Sequence, residues 1–318
     1  MQKKFKRNSL PILFCFLMHL SVECLGQQQV QFSQYFANYL YHNPAFAGRN
    51  FQTDAALIHR QQWVGLDGAP KSTLVGVDTR LPKYNLGFGV NFIHDEIGNF
   101  STSGIRLAIS SEKRLGLNSL RVGIAPAFYS QSLNAGFSAI DGVDGDPSLD
   151  NGRTNSSSFD ANLGFSYHTP DYFVGLSVLN LFGSRLDNIK SLNRRTALIL
   201  LGYEFKNLGV KNLTLQPNML IKTDLQNLSG FTAEINSLFT FKESVIFGLG
   251  YRTFDALFPV LGYQWFNALG KFRVSYSYDY TTSAINSVSR GSHEISLNYS
   301  YFIERPTVID QYKDVRFL

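Results

Sequence analysis

The chain is poor in thiols, in charge and in long apolar runs. Its two cysteines, Cys15 and Cys24, both fall within the first 26 residues. Beyond them there is no disulfide framework and no cysteine metal site. Charged residues make up 17% of the chain, against about a quarter in a soluble globular protein. After residue 26 no window supplies the roughly 18 consecutive apolar residues of a membrane-crossing helix. No H-E-x-x-H, G-x-S-x-G or phosphate-cradling glycine loop occurs, and His59, His94, His168 and His293 are isolated in sequence. The expectation is a non-enzymatic protein with no catalytic residues and no cofactor.

What the chain does have is 27 Phe, 16 Tyr and 26 Gly, and a formal charge of +5. Much of that charge is local. Lys3, Lys4, Lys6 and Arg7 precede the apolar run 10–20, the layout of a secretory signal, with cleavage expected after Gly26. The remainder carries 25 basic and 23 acidic residues, a net of +2, which is no field for nucleic acid.

The rest alternates with a period of two. In Phe159-Asp160-Ala161-Asn162-Leu163-Gly164-Phe165-Ser166-Tyr167 one face is apolar and the other polar or empty, and Phe272 to Tyr280 and Ile295 to Tyr301 repeat the pattern with larger rings. Division at the turn signals predicts about fourteen strands, at approximately 53–63, 71–80, 84–94, 101–112, 118–131, 157–168, 171–180, 194–206, 212–223, 229–240, 243–253, 257–267, 271–280 and 291–302. Most are long enough to cross a bilayer at a tilt. Connections after even strands are short, whereas the longest follow odd ones. A soluble sandwich, which shows the same alternation one segment at a time, has no reason to sort loops by parity. The fold expected is therefore all-β, a transmembrane antiparallel β-barrel in the outer membrane. Arg106, Glu204, Glu234, Arg252 and Arg273 are expected to face its lumen, because turning them toward lipid costs a few kcal/mol near the midplane.

The domain reading is a signal peptide at 1–26, a periplasmic or plug segment at 27–50, the barrel at 51–303 and a periplasmic tail at 304–318. Segment 27–50 holds Phe32, Tyr35, Phe36, Tyr39 and Tyr41 without strand alternation, and Asn43-Pro44 breaks it. The stretch Arg60-Gln61-Gln62-Trp63-Val64-Gly65-Leu66-Asp67-Gly68-Ala69-Pro70 admits two readings: Trp63 as an interface ring beside a Gly/Pro-shaped loop, or a loop that folds inward or docks a partner. Asp141, Asp144 and Asp146 are weak calcium suspects. They lack the ligand spacing and terminal Glu of the helical calcium loop, and a solvated surface loop is the reading their spacing favours.

Three blocks carry a resemblance to a known family. Gln31-Phe32-Ser33-Gln34-Tyr35 with Asn43-Pro44-Ala45-Phe46-Ala47-Gly48, then Arg60-Gln61-Gln62-Trp63 with Gly68-Ala69-Pro70, and near the end Gly291-Ser292-His293-Glu294-Ile295-Ser296-Leu297, resemble the PorP/SprF outer-membrane proteins of Bacteroidetes over about residues 27–302. The resemblance implies a component of type IX secretion that helps secrete or anchor a surface protein or gliding adhesin. The partners it implies are the C-terminal domain of that exported protein, secretion or periplasmic anchoring components, and outer-membrane lipid. It transfers no catalytic residue. Trp63, Asp67, Tyr35 and Phe36 are the candidate partner-binding residues. The alternative is a channel for ions or small solutes, with lumen charge selecting what passes.

Overall fold

The computed structural model describes residues 30–49, 52–134, 153–186, 191–206, 209–225 and 230–302. Its strands are β1 (Gln52–Gln61), β2 (Lys71–Leu81), β3 (Leu86–Ile97), β4 (Phe100–Leu115), β5 (Asn118–Asn134), β6 (Arg153–His168), β7 (Tyr172–Leu179), β8 (Arg185–Leu186) and β9 (Ser191–Leu192). They continue with β10 (Thr196–Tyr203), β11 (Phe205–Lys206), β12 (Leu213–Asp224), β13 (Thr232–Phe241), β14 (Val245–Arg252), β15 (Ala256–Asn267), β16 (Gly270–Thr281) and β17 (Ser292–Phe302). Each long strand pairs antiparallel with its sequence neighbours, and β1 pairs with β17 from Gln52↔Phe302 to Gln61↔His293, which closes the sheet. Here β11 continues β10, and β8 with β9 is a small hairpin apart from the wall. The result is a closed barrel of fourteen staves, without edges that lipid would leave unpaired.

Burial is inverted relative to a water-soluble core. Leu57, Val75, Phe92, Leu107, Ile124 and Leu249 are exposed on the outer face, while Arg60, Arg106, Arg121, Glu234, Arg252 and Asp279 are buried within. This is the arrangement expected when the outer solvent is hydrocarbon. All five charges expected in the lumen line it: Arg106, Glu234 and Arg252 are buried, and Glu204 and Arg273 border a cavity at one end.

Three gaps inside the ladders have one cause. The pairing of β4 with β5 skips the level of Pro126, that of β15 with β16 skips Pro259, and β10 breaks from β11 at Glu204, beside the level of Pro217. A proline has no N–H to give the neighbouring stave.

The connections sort by end. At one end they are short, as at 116–117, 242–244 and 268–269; the other carries all the long ones, 135–152, 180–195 and 282–291, beside short turns at 98–99 and 253–255. The short-turn end is periplasmic in barrels of this kind. An aromatic girdle rings its outer surface over half the circumference: Tyr172 stacks on Tyr203 at 6.3 Å, Trp265 on Phe272 at 5.5 Å, and Phe272 meets Tyr299 at 4.8 Å. Such rings sit at the headgroup level.

The expected strands match the observed staves closely, with two informative differences. β6 begins at Arg153 rather than 157, because Thr154 to Ser158 pair with Tyr129 to Leu133 of β5 above the apolar band, where alternation in hydropathy has ended. β3 begins at Leu86 rather than 84, because Pro82–Tyr84 forms a 3-10 turn closed by Asn85 at φ 54°.

Candidate functional site

Residues 30–49 lie inside the barrel. They form three 3-10 turns, Tyr35–Ala37, Tyr39–Tyr41 and Pro44–Phe46. The sequence explains the turns locally. Asn38 accepts from the Tyr41 amide and Asn43 from the Ala45 amide, and Pro44 supplies the fixed φ of a first helical position. The rings of this short stretch spread to different walls of the lumen.

The segment descends from the extracellular end toward the periplasmic one. Near its start, Ser33 is held by a buried charge cluster. Its amide and that of Gln34 donate to the Glu294 carboxylate at 2.9 and 2.7 Å. The Ser33 hydroxyl donates to Asp279 and accepts from Arg60 at 2.8 Å and Arg252 at 2.7 Å. Arg60 pairs with Asp279 and Glu294 at 2.8 and 3.0 Å; Arg252 pairs with Glu234, Asp255 and Asp279 at 2.7, 2.8 and 3.2 Å. Charges this deep persist only when paired and hydrogen-bonded.

Midway, Arg106 donates to the Tyr41 carbonyl at 2.9 Å and stacks 4.5 Å from the ring of Tyr41. The Asn43 amide group donates to the carbonyls of Phe165 and Leu176 at 3.0 and 3.1 Å. Below it, Arg121 donates to the carbonyls of Ala45 and Ala47, with Glu112 beside it at 3.3 Å. Glycine makes this approach feasible: a Cβ at Gly123 would strike the Pro44–Ala45 peptide, and one at Gly87 the Ala47 carbonyl.

The contacts reach every stave. Hydrogen bonds join the segment to β1 through Arg60, β2 through Asp78, β3 through Asn91, β4 through Arg106 and β5 through Arg121. Others reach β6, β7, β12, β13, β14, β16 and β17. The last two staves are met by packing: Tyr35 and Phe46 cluster with Leu198 and Leu200 of β10, and Phe36 clusters with Phe258 and Val260 of β15. Burial among these groups and the nearby Lys222 and Arg106 charges lower the His42 pKa to about 3, so the ring is neutral at ordinary pH.

Between the segment and the wall lies a cavity of about 630 Å³ at the periplasmic end, lined by residues of β1, β2, β11 to β13 and β15 to β17. Phe36, Tyr39, Phe46 and Arg49 form its inner floor; Asp54, Glu204, Lys206, Glu243, Lys271 and Arg273 are its other charged walls along with Asp78.

The sequence-derived candidates are dispersed. Tyr35 and Phe36 are buried in the lumen, packed on the barrel wall. Trp63 is partly buried at φ 48° in a loop zipped to the last extracellular loop: the Val64 amide donates to Gly291 and the Arg290 amide to Val64, each at 2.8 Å. Asp67 is exposed in that loop. Asp141, Asp144 and Asp146 lie outside the described residues, among which no group of three or more metal-ligating side chains converges. The clamp around Ser33 is not legible from sequence, because its members fall in two groups, Ser33 with Arg60 and Glu234 to Glu294, that lie at opposite ends of the barrel sequence. Its signal was nonetheless present: Ser33, Arg60 and Glu294 each belong to one of the three blocks that carry the family resemblance, and those blocks meet here.

No curated protein sequence matches the chain. Among solved structures it is similar to the CymD monoaromatic hydrocarbon channel, at 12% identity and TM-score 0.52 over 85% of this chain and 93% of that one. It is also similar to the outer membrane protein Omp33 of Acinetobacter baumannii, at 8% identity and TM-score 0.45 over 80% and 98%. At such identity the CymD likeness shows a shared barrel fold alone. The family described as "Type IX secretion system membrane protein PorP/SprF" matches residues 25–299. Sequence and barrel agree, and the chain belongs to the PorP/SprF family of outer-membrane proteins.

Proposed function

We propose that this protein is a non-enzymatic scaffold of type IX secretion, which helps secrete or anchor a surface protein or gliding adhesin. In this reading the C-terminal domain of the exported protein is met at the extracellular loops. Secretion or periplasmic anchoring components are met at the short-turn end. The observation that carries it is the resident segment, hydrogen-bonded or packed against all fourteen staves. A lumen devoted to holding its own chain supports a platform better than a conduit. Family membership supplies the secretion context.

The channel alternative draws on the cavity at the periplasmic end. The two readings separate in one preparation. The tagged protein, gently solubilised from native outer membranes, is expected to bring down a large exported protein with secretion or periplasmic components, and to show little conductance in planar bilayers. A solitary barrel with steady ion conductance, extracted under conditions that preserve known membrane complexes, would replace the scaffold with the channel.

A further inference from the structure

The inner wall carries cations in two different states. Around Ser33 both guanidinium groups are paired with carboxylates. Around the periplasmic cavity three cations, Arg49, Lys271 and Arg273, have no ion-pair partner among the described residues. Arg49 is held by rings instead, 4.5 Å over Phe173 and 5.5 Å over Tyr39 and Phe46. Arg273 directs Nε and Nη2 to the Gln264 side-chain oxygen at 3.2 and 3.1 Å, which is a neutral acceptor. Lys271 stands two residues away on the same face of β16.

Acidic groups share the cavity, but several are engaged elsewhere. Asp78 accepts from the Gly48 amide at 2.8 Å and Glu204 lies 3.4 Å from Lys206, while Asp54 is the one carboxylate whose charge acts on all three cations, leaving three positive groups to share it. Glu243 is exposed at the periplasmic turn. The wall between the charges is built of Asn212, Thr214, Gln216, Thr240, Asn298 and Ser300. Carboxamides and hydroxyls both donate and accept, as a peptide backbone does. Asn298 donates to the Ala37 carbonyl at 2.8 Å, yet its own side-chain oxygen is buried with no hydrogen-bond partner among the described residues. A buried acceptor in that state lacks a donor.

We propose that this cavity receives an acidic peptide segment of a periplasmic protein, its carboxylates held by Arg49, Lys271 and Arg273 and its backbone by the amide and hydroxyl wall. The inference rests on the scaffold reading and gives its periplasmic contact a chemistry. The volume lies within the range of roughly 300–1,000 Å³ typical of ligand sites, more than a lone small anion fills. The cavity is bordered by the short-turn ends of the staves and floored by the resident segment, so its occupant enters from the periplasm.

The test uses the purified full chain in detergent and a short fluorescent peptide of alternating Glu and Ser, followed by anisotropy. The Glu peptide is expected to bind, its Gln counterpart to bind at least about tenfold more weakly, and the Lys271→Gln/Arg273→Gln variant to lose about tenfold in affinity. Lys271→Gln alone, which removes no hydrogen bond of the described fold, provides a well-folded second variant with a smaller loss. Equal binding of both peptides, or unchanged binding by both variants, overturns the proposal. Succinate displacing the peptide as effectively, mole for mole, as unlabelled peptide also overturns it, in favour of a small-anion site. If the wild type still brings down secretion partners while the peptide fails, the scaffold reading survives and this inference does not.

Discussion

Arg252 and Lys271 are both cations on the inner wall of one barrel, yet they stand in opposite circumstances. Arg252, near the extracellular end, touches three carboxylates and the Ser33 hydroxyl. Lys271, near the periplasmic end, has no ion pair among the described residues and borders a cavity. The contrast teaches that buried polarity in a barrel serves two purposes. Where carboxylates stand within reach, charge holds the structure closed; where no ion pair forms among the described residues, it borders open space.

The comparison breaks most sharply if the resident segment is removed. Deleting residues 30–49 takes away the partner of all fourteen staves and is expected to turn a nearly silent barrel into a conducting one, or to prevent its assembly. Bilayer conductance and heat-modifiable migration on gels read the two outcomes, and a folded, silent deletion would show that the segment does not close the lumen.

Next in size is Arg252→Ala. It leaves Glu234 and Asp279 short of a counter-charge in a buried site and is expected to cost about 3–5 kcal/mol of stability, seen as a lower denaturation midpoint. A loss below 1 kcal/mol would mean that water reaches the clamp.

A pH effect on the segment follows. His42 is buried with its pKa lowered to about 3, facing the Lys222 and Arg106 charges and the rings of Tyr35 and Tyr41. Its folded value lies below the unfolded one of about 6.5, so its contribution is complete above about pH 6.5 and is lost as pH falls toward 3. At pH 5 docking is expected to weaken by roughly 2 kcal/mol. Faster amide exchange across 30–49, blunted in His42→Gln, is the signature; exchange that ignores pH in both proteins removes His42 from the account.

The smallest effect sharpens the comparison from the other side. Lys271→Gln breaks no ion pair among the described residues and is expected to change stability by less than about 0.5 kcal/mol. A loss approaching that of Arg252→Ala would show that Lys271 is structural after all.

Much of this is legible in the sequence. Alternation such as Phe159 to Tyr167 or Ile295 to Tyr301 marks staves because lipid and lumen impose opposite solvents on successive side chains. The charges Arg106, Glu234 and Arg252 could be sent inward on the same ground. The ends of the staves were less legible. Thr154 to Ser158 continue β6 with polar side chains on both faces, and there hydropathy has no period left to read. Residues 30–49 were the hardest. Tyr35 and Phe36 follow neither a helical nor a strand repeat, so nothing local says which wall each ring meets.

The sequence by itself determined the barrel, its approximate stave count and the family, because bilayer crossing and family blocks are written in short runs of residues. Only the tertiary structure decided that Ser33, Arg60, Asp279 and Glu294 form one clamp, and that Lys271 and Arg273 do not share in such a clamp. Those relations depend on closing β1 against β17 around the resident segment. Closure brings together groups hundreds of residues apart, and pairing across that distance leaves no periodic trace along the chain.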